Sequence, residues 1–301
     1  MMPIDLQDKL RGVFVLAITP MTENKELDLV SLKRNIDHFI QAGADGIVVG
    51  GTYAEYPSMS FLERKSLFRA AVGAVQGRVP LICCTAASGT HEAIELTKIA
   101  EQAGADGVMV TAPYVAEVEP KDIYYHFKKL NDAVSLPIFI YNSASIGVQL
   151  SPELISELAD LPNVVGVKHG STNMRELIRT QMLAGDRISV MAASDSIMLG
   201  ALTLGLPGCT STNANFMIEE FVALKQEINK GELKKAQKRF YRWQPIWELA
   251  HKYGQPAMVK AALDLTGLPS GPVRAPFQSL DKEARLDIQK TLKKIGVIKE
   301  F

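Results

Sequence analysis

A repeated stretch sets the expected fold: residues 41–49 read QAGADGIVV, and residues 102–110 read QAGADGVMV. In each copy a glycine ends a helix, Ala-Asp makes the turn, and an apolar strand follows. The two copies begin 61 residues apart, which corresponds to two strand–helix units. Repetition of this kind predicts a repeated βα architecture.

On both sides of this repeat, apolar strand-like runs alternate with helical patterns to about residue 230. Eight strands are predicted, over Val13–Thr19, Gly46–Gly51, Val79–Thr85, Gly107–Thr111, Leu136–Asn142, Val164–His169, Ile188–Ala193 and Gly208–Ser211. Eight βα units in roughly 220 residues suit a (β/α)8 TIM barrel. We therefore expect an α/β chain with a barrel that carries the active site over residues 1–230. Residues 231–301 are expected to form a C-terminal helical extension, with helices over Leu233–Ala250, Pro256–Leu265 and Asp281–Ile295.

A doubly wound parallel sheet is the alternative that fits the same alternation. It would carry a glycine-rich phosphate loop after its first strand. Residues 19–26 read TPMTENKE instead, and the sequence contains no GxxxxGK[ST] motif. The barrel is therefore favoured, and no dinucleotide site is expected.

Composition excludes several classes of function. The chain has 301 residues, of which 47% are hydrophobic, and its formal net charge is zero. No basic run with interleaved aromatics indicates a nucleic-acid or anionic-membrane surface. The N-terminal residues do not resemble a signal peptide, and no apolar run reaches membrane-spanning length. Three cysteines are too few for a disulfide framework or a zinc site, so we expect a cytoplasmic protein.

The chemistry is expected at Lys168, which ends the apolar strand in NVVGVKHG, residues 163–170. Desolvation lowers the pKa of a buried lysine, and a neutral amine can form a Schiff base with a ketone. The alternative is a lysine that extends to the surface. His169 follows directly and should point to the opposite side of the strand, so we expect it to have a structural role against the helix layer.

The C-terminal ends of barrel strands carry the catalytic residues in this architecture. Here those ends are Thr19-Pro20, Gly51-Thr52-Tyr53, Thr85, Pro113-Tyr114, Tyr141-Asn142, Lys168-His169, Ser194-Asp195 and Ser211. They bring a lysine, hydroxyls and phenols to one mouth. No cluster of Asp, Glu and His indicates a metal, so no metal site is expected.

Five motifs taken together resemble the dihydrodipicolinate synthase / N-acetylneuraminate lyase family. They are GGTYAE (50–55), APY (112–114), YN (141–142), GVKHG (166–170) and the AASDS…GCTSTNAN run (192–215). The resemblance covers essentially the whole chain. It implies a class I aldolase that acts on pyruvate or a related 2-oxo acid through a lysine Schiff base, with no cofactor. It also implies a homo-oligomer, a tetramer or a dimer.

The resemblance assigns roles to particular residues. Lys168 matches the lysine that forms the Schiff base, and Tyr141 matches the phenol that moves protons to and from the imine. Gly51, Thr52 and Tyr53 belong to the loop that holds the carboxylate of the 2-oxo acid. Backbone donors suit that group because charge-assisted hydrogen bonds are strong.

Three departures from the family pattern concern the second substrate. Tyr53 stands where synthases have a second threonine, and Val115 replaces a tyrosine that reaches the neighbouring subunit and completes a proton relay. YNSASIGVQ (141–149) lacks the arginine that binds the carboxylate of the incoming aldehyde. Small polar residues indicate recognition of hydroxyl groups instead, or are simply loop and turn residues. They are Ser143, Ser145, Ser194 and Thr210.

The leading hypothesis is a Schiff-base lyase that forms or cleaves a C–C bond between a pyruvate unit and a hydroxylated aldehyde. The substrate would be a 2-keto-3-deoxy sugar acid or a sialic-acid-like compound. One alternative is an imine-dependent dehydratase or deaminase of a 2-oxo acid. Dihydrodipicolinate synthesis is a disfavoured alternative because of the missing arginine and relay tyrosine. A non-catalytic relative that binds a 2-oxo acid is the remaining alternative.

Overall fold

The strands form one closed, parallel barrel. The computed structural model describes residues 3–115, 117–143, 146 and 148–299, with side chains described from residue 6 onward. Each strand pairs with the next in sequence, and β1 pairs with β8 to close the ring. The strands are β1 Gly12–Leu16, β2 Gly46–Val49, β3 Leu81–Cys84, β4 Gly107–Thr111, β5 Ile138–Asn142, β6 Val164–His169, β7 Ser189–Ala192 and β8 Gly208–Ser211. The predicted (β/α)8 barrel is confirmed.

Helices follow the strands and continue beyond the barrel. The helices are α1 Pro3–Lys9, α2 Leu29–Gln41, α3 Phe61–Val75, α4 Thr90–Ala103, α5 Pro120–Ala133, α6 Pro152–Leu158, α7 Met174–Ala184, α8 Met198–Thr203, α9 Ala214–Asn229, α10 Leu233–Arg242, α11 Gln244–Tyr253, α12 Ala257–Leu265 and α13 Lys282–Lys294. The helical structure predicted over Leu233–Ala250 is confirmed, but it is divided into two helices, because α10 ends and α11 begins around Trp243. Pro245 lies in the first turn of α11, where a proline is tolerated, whereas it would disrupt a helix interior. The division at residue 230 stays a prediction.

The repeated QAGADG stretch has the same structural role in both copies. Gly43 and Gly104 end α2 and α4 with φ of +99° and +92°, a region open to glycine. The aspartate that follows then accepts a hydrogen bond from the preceding strand in sequence. Asp45 Oδ2 accepts from the Val13 N–H at 2.7 Å, and Asp106 Oδ2 accepts from the Leu81 N–H at 2.8 Å. The repeat therefore fixes where β2 and β4 begin.

Side chains fill the barrel interior toward its N-terminal end. A Cβ atom added at Gly46 would lie 2.2 Å from the Phe14 ring, so only glycine leaves room for that ring. The α1 helix, which was not predicted, and the residue that follows it cover the N-terminal end of the barrel with the fully buried side chains of Leu6 and Leu10. Ser189 Oγ donates a 2.5 Å hydrogen bond to the Leu10 carbonyl. The open end is therefore the C-terminal one.

The helices after the barrel pack back against it. Asn35 Nδ2 on α2 donates to the Pro269 carbonyl at 2.8 Å, and the core that surrounds the barrel includes Ile288 and Leu292 of α13. These contacts hold α13 and the segment that follows α12 against the barrel. In the described part of the chain, no helix combines the length and apolar character needed to span a bilayer.

Candidate active site

Lys168 lies at the C-terminal end of β6 with its amine inside the barrel mouth. Its Cα is in register with that of Tyr141 on β5, and its Nζ lies 4.1 Å from the centroid of the Tyr141 ring. The lysine is only 5% exposed. Burial lowers its pKa to about 8, although the neighbouring Cys84 and Asp195 act in the opposite direction. The geometry therefore provides an amine that is partly neutral near neutral pH.

The phenol beside this amine is held by the loop that follows β2. Thr52 Oγ1 and Tyr141 Oη are 3.0 Å apart, within hydrogen-bond distance. Thr52 lies in a short 3-10 turn, Thr52–Ala54, and Gly51 precedes it. The sequence predicted that the ends of β2, β5 and β6 converge, and the structure brings Lys168, Tyr141 and Thr52 together.

A partly buried carboxyl group, that of Asp195, lies at the same mouth. It follows β7 and accepts hydrogen bonds from Ser211 Oγ at 3.0 Å and Asn213 Nδ2 at 2.8 Å. Burial raises its pKa to about 6, against the opposing influence of these hydrogen bonds and of Lys168. The sequence identified Asp195 as a strand-end residue but assigned it no role. An acidic residue at the strand end next to the lysine strand was the available signal.

A cavity of about 520 Å³ opens above Lys168. Barrel residues line one side, namely Leu16, Tyr53, Tyr141, Ser143, Lys168, Gly170, Ala193, Ser194, Asp195, Ser196, Thr212 and Asn213. Trp247, His251 and Gln255, on or just after α11, line the other side. Sequence reasoning missed these three residues, because nothing in a helical pattern outside the βα repeat shows which face turns toward the mouth. A smaller pocket adjoins the cavity and is lined by Gly51, Thr52 and Tyr53.

The remaining predicted binding residues divide into three groups. Ser143 and Ser194 line the cavity. Thr210 is fully buried on β8 in register with Phe14, and it lines neither the cavity nor the adjoining pocket. Ser145 lies outside the described residues. The binding roles of these residues, and of the Gly51–Tyr53 loop, stay predictions.

His169 is buried on the strand position next to Lys168, and strand alternation turns it away from the mouth. Burial lowers its pKa to about 4. Its structural role stays a prediction. Within the described ranges, no three His, Cys, Asp or Glu side chains are grouped as metal ligands would be.

The fold and the site together define a (β/α)8 enzyme built around a desolvated lysine, of the class I aldolase type. The chain matches the dihydrodipicolinate synthetase family over residues 9–295. It belongs to that family, and this membership confirms the predicted class of lysine Schiff-base lyase, in which the covalent imine replaces a cofactor.

Individual relatives carry more specific names. The 4-hydroxy-tetrahydrodipicolinate synthase of Oceanobacillus iheyensis is 33% identical over 281 residues, covering 93% of this chain and 95% of the relative. The solved structure of YagE, a prophage protein of the dihydrodipicolinic acid synthase family from E. coli K12 in complex with pyruvate, has a TM-score of 0.92. It is 28% identical, with 96% of this chain and 99% of that one covered.

A structure described as the first monomeric dihydrodipicolinate synthase variant also has a TM-score of 0.92. It is 30% identical and covers 98% of this chain and 100% of its own. These names favour the synthase, the activity that the sequence departures disfavoured, over a sugar-acid lyase.

Proposed function

We propose that this protein is a pyruvate-dependent Schiff-base lyase whose second substrate is a hydroxylated aldehyde. The observation that carries the proposal is the buried amine of Lys168 beside the phenol of Tyr141, which is itself held by Thr52. A neutral amine next to a proton-transferring hydroxyl is the arrangement that imine chemistry requires.

The chemistry follows from these groups. The neutral Nζ of Lys168 adds to the C2 carbonyl of pyruvate, and loss of one water leaves the imine. Removal of a C3 proton gives an enamine, whose C3 forms the new bond to the aldehyde carbon while the aldehyde oxygen takes up a proton. Hydrolysis of the product imine restores the lysine, and cleavage is the reverse sequence. We assign these proton transfers to Tyr141, because its ring lies beside the Lys168 amine.

The lining of the cavity supports an aldehyde with hydroxyl groups. A second carboxylate would be repelled when Asp195 is ionised, and among the described lining residues the basic ones are Lys168 and His251. Hydroxyl groups, in contrast, can both donate to Asp195 and exchange hydrogen bonds with Ser194. Cavities of several hundred Å³ accommodate ligands much larger than pyruvate, and the volume here is about 520 Å³.

A second candidate is 4-hydroxy-tetrahydrodipicolinate synthase, which the names of the curated relatives favour. That activity needs an aldehyde that carries an amine and a carboxylate, as aspartate semialdehyde does. The discriminating assay supplies pyruvate with either aspartate semialdehyde or a polyhydroxylated aldehyde such as glyceraldehyde, and measures pyruvate consumption. Faster consumption with aspartate semialdehyde would replace our proposal by the synthase.

The imine itself is tested by reducing the protein with borohydride in the presence of pyruvate. We expect a mass increase on the peptide that contains Lys168, and none in the Lys168→Ala variant. Lys121→Ala serves as the control, since the Lys121 side chain is 77% exposed and does not line the cavity. An unlabelled Lys168 would contradict the lyase, the dehydratase and the deaminase hypotheses together.

Product analysis separates the remaining alternatives. A lyase acting on a 2-keto-3-deoxy sugar acid releases pyruvate, whereas a dehydratase or deaminase leaves a 2-oxo acid of unchanged carbon number. A non-catalytic relative would form the imine with pyruvate but turn over none of these compounds.

Tyr141→Phe tests the proton-transfer step. Loss of one general acid–base group lowers kcat by about 10²–10⁴-fold. We expect such a loss with the KM for pyruvate changed far less, because the aromatic ring still packs beside Lys168. Steady-state kinetics of pyruvate release checks this, and an unchanged kcat would remove Tyr141 from the mechanism.

Assembly and location complete the proposal. We propose a homo-oligomer, a tetramer or a dimer, because the resemblance implies one, and light scattering tests it. One solved relative is described as a monomeric dihydrodipicolinate synthase variant, and a monomer in light scattering would contradict this part of the proposal. Cytoplasmic location and the absence of nucleic-acid partners stay predictions.

A further inference from the structure

A buried ion pair joins the loop that follows β2 to the helix α12. Lys260 Nζ lies 2.6 Å from Glu55 Oε1, and the two side chains are 3% and 0% exposed. Burial lowers the pKa of Lys260, while the Glu55 carboxylate opposes that shift. Neither residue lines the catalytic cavity, so the pair needs an explanation other than contact with substrate.

The backbone of Glu55 is in a conformation that residues other than glycine rarely adopt. Its φ of +67° is in the left-handed region, between the turns Thr52–Ala54 and Tyr56–Ser58. Such a conformation persists only when the surroundings fix it. Here the side chain is fixed at both oxygens, because Oε1 meets Lys260 and Oε2 accepts from the Arg274 N–H at 2.7 Å.

The left-handed conformation of Glu55 is connected to the active site through Thr52. The Glu55 N–H donates to the Thr52 carbonyl at 3.0 Å, which closes the turn that carries the Thr52 side chain. Thr52 Oγ1 in turn lies 3.0 Å from Tyr141 Oη. A displacement of Glu55 would therefore move the hydroxyl that orients the proton-transferring phenol.

The other end of the pair is equally fixed. Lys260 Nζ donates to the Pro272 carbonyl at 2.8 Å, and the Lys260 carbonyl accepts from Ser270 Oγ at 3.0 Å. The Ser270 carbonyl accepts from the Met21 N–H at 3.0 Å, in the loop that follows β1. The segment after α12 therefore ties two loops of the barrel mouth to one helix of the C-terminal extension.

Stability alone is a weak reason for such a pair, since well-packed apolar residues often replace a buried ion pair without loss. We propose that Glu55 and Lys260 are positioning residues that hold Thr52 against Tyr141, so that α12 controls proton transfer at the pyruvate imine. The inference rests on the proposed function because it acts through that imine.

The test follows exchange of the pyruvate methyl protons for deuterium in D2O by NMR. Exchange reports imine and enamine formation and needs no aldehyde. We compare wild type with the paired variant Glu55→Gln/Lys260→Met, which leaves no unpaired charge. Because a 1 Å misplacement can cost about a hundredfold in rate, we expect exchange to fall by roughly tenfold to a hundredfold. The melting temperature should stay within a few degrees of the wild-type value.

Lys225→Met is the matched control. It removes another lysine–carboxylate pair, with Lys225 Nζ 2.7 Å from Asp45 Oδ2, at the opposite end of the barrel. We expect this variant to change the melting temperature but not the exchange rate. A paired variant that exchanges at the wild-type rate would overturn the inference, and so would a Lys225→Met variant that loses exchange to the same degree.

A cycle with Thr52→Val shows whether the pair acts through Thr52. Residues that act through one another are non-additive, so Thr52→Val should slow exchange and the paired variant should add little further loss. Fully additive losses would contradict the positioning role. If the paired variant does not fold, Glu55→Gln alone is assayed, and undiminished exchange there overturns the inference equally. A wild-type protein that shows neither exchange nor borohydride trapping would instead refute the proposed function.

Discussion

The pKa of Lys168 makes imine formation depend on pH in a way that an ordinary lysine does not. Burial lowers that pKa from 10.5 to about 8. At pH 7 the neutral fraction is then ~10%, compared with ~0.03% for an unperturbed lysine, a difference of roughly 300-fold. We therefore expect the initial rate of imine formation at low pyruvate concentration to rise with pH and to level off with a midpoint near 8.

A short pulse of borohydride after mixing with pyruvate, followed by mass spectrometry of the intact protein, measures this rate across pH. The Asp195→Asn variant tests the direction in which a neighbouring charge shifts the pKa of Lys168. The Asp195 carboxylate raises the pKa of Lys168, so its removal should move the midpoint to lower pH. Asp186→Asn is the control, since Asp186 is 83% exposed and should leave the midpoint unchanged. A wild-type midpoint near 10.5 would show a solvated amine and refute the reasoning.

Two further predictions concern stability. Gly46→Ala should lower the melting temperature, because the added methyl group clashes with the Phe14 ring in the barrel interior and overpacking costs about 1–3 kcal/mol. Gly73→Ala is the control: this glycine lies on the exposed side of α3 with open space around it, so the substitution should raise the melting temperature slightly. Equal shifts in the two variants would contradict the packing argument. Between pH 6.5 and about 4, His126 and His169 are held neutral by burial while the unfolded chain takes up protons, so stability falls as pH falls. Asp195 acts oppositely, since its pKa of about 6 lies above the unfolded value of 3.8, but two histidines with larger shifts outweigh it. Thermal melts should show that the free energy of unfolding falls by on the order of a few kcal/mol between pH 6.5 and about 4, and a constant melting temperature over this range would contradict the prediction.

Most of the barrel could be predicted because its signals are local. The QAGADG repeat contains both the glycine that ends a helix and the aspartate that anchors the next strand, and each acts within a few residues or on an adjacent strand. The start of α3 depends on an equally local signal, a capping box formed by Ser60 and Glu63. Ser60 Oγ accepts from the Glu63 N–H, and Glu63 accepts from the Ser60 N–H.

The features that the sequence left undecided depend on partners distant in sequence. The helical pattern of residues 233–250 is continuous, and only the structure shows the break before Pro245. Thr210 is a small polar residue at a strand end, but only the structure shows that it pairs in register with Phe14 and is fully buried on β8. A pattern of residue types does not show the depth at which a strand residue lies.

The sequence by itself determined the barrel, the strand that carries Lys168 and the convergence of Tyr141 and Thr52 with it, because parallel strands in a βα repeat must end at one mouth. Only the tertiary structure decided which side chains complete that mouth. The helix α11, which lies outside the βα repeat, supplies one wall of the cavity, and the Glu55–Lys260 pair joins residues that are 205 positions apart. The physical reason is that burial and charge pairing are properties of the packed chain, and no local pattern specifies which distant segment will supply the partner.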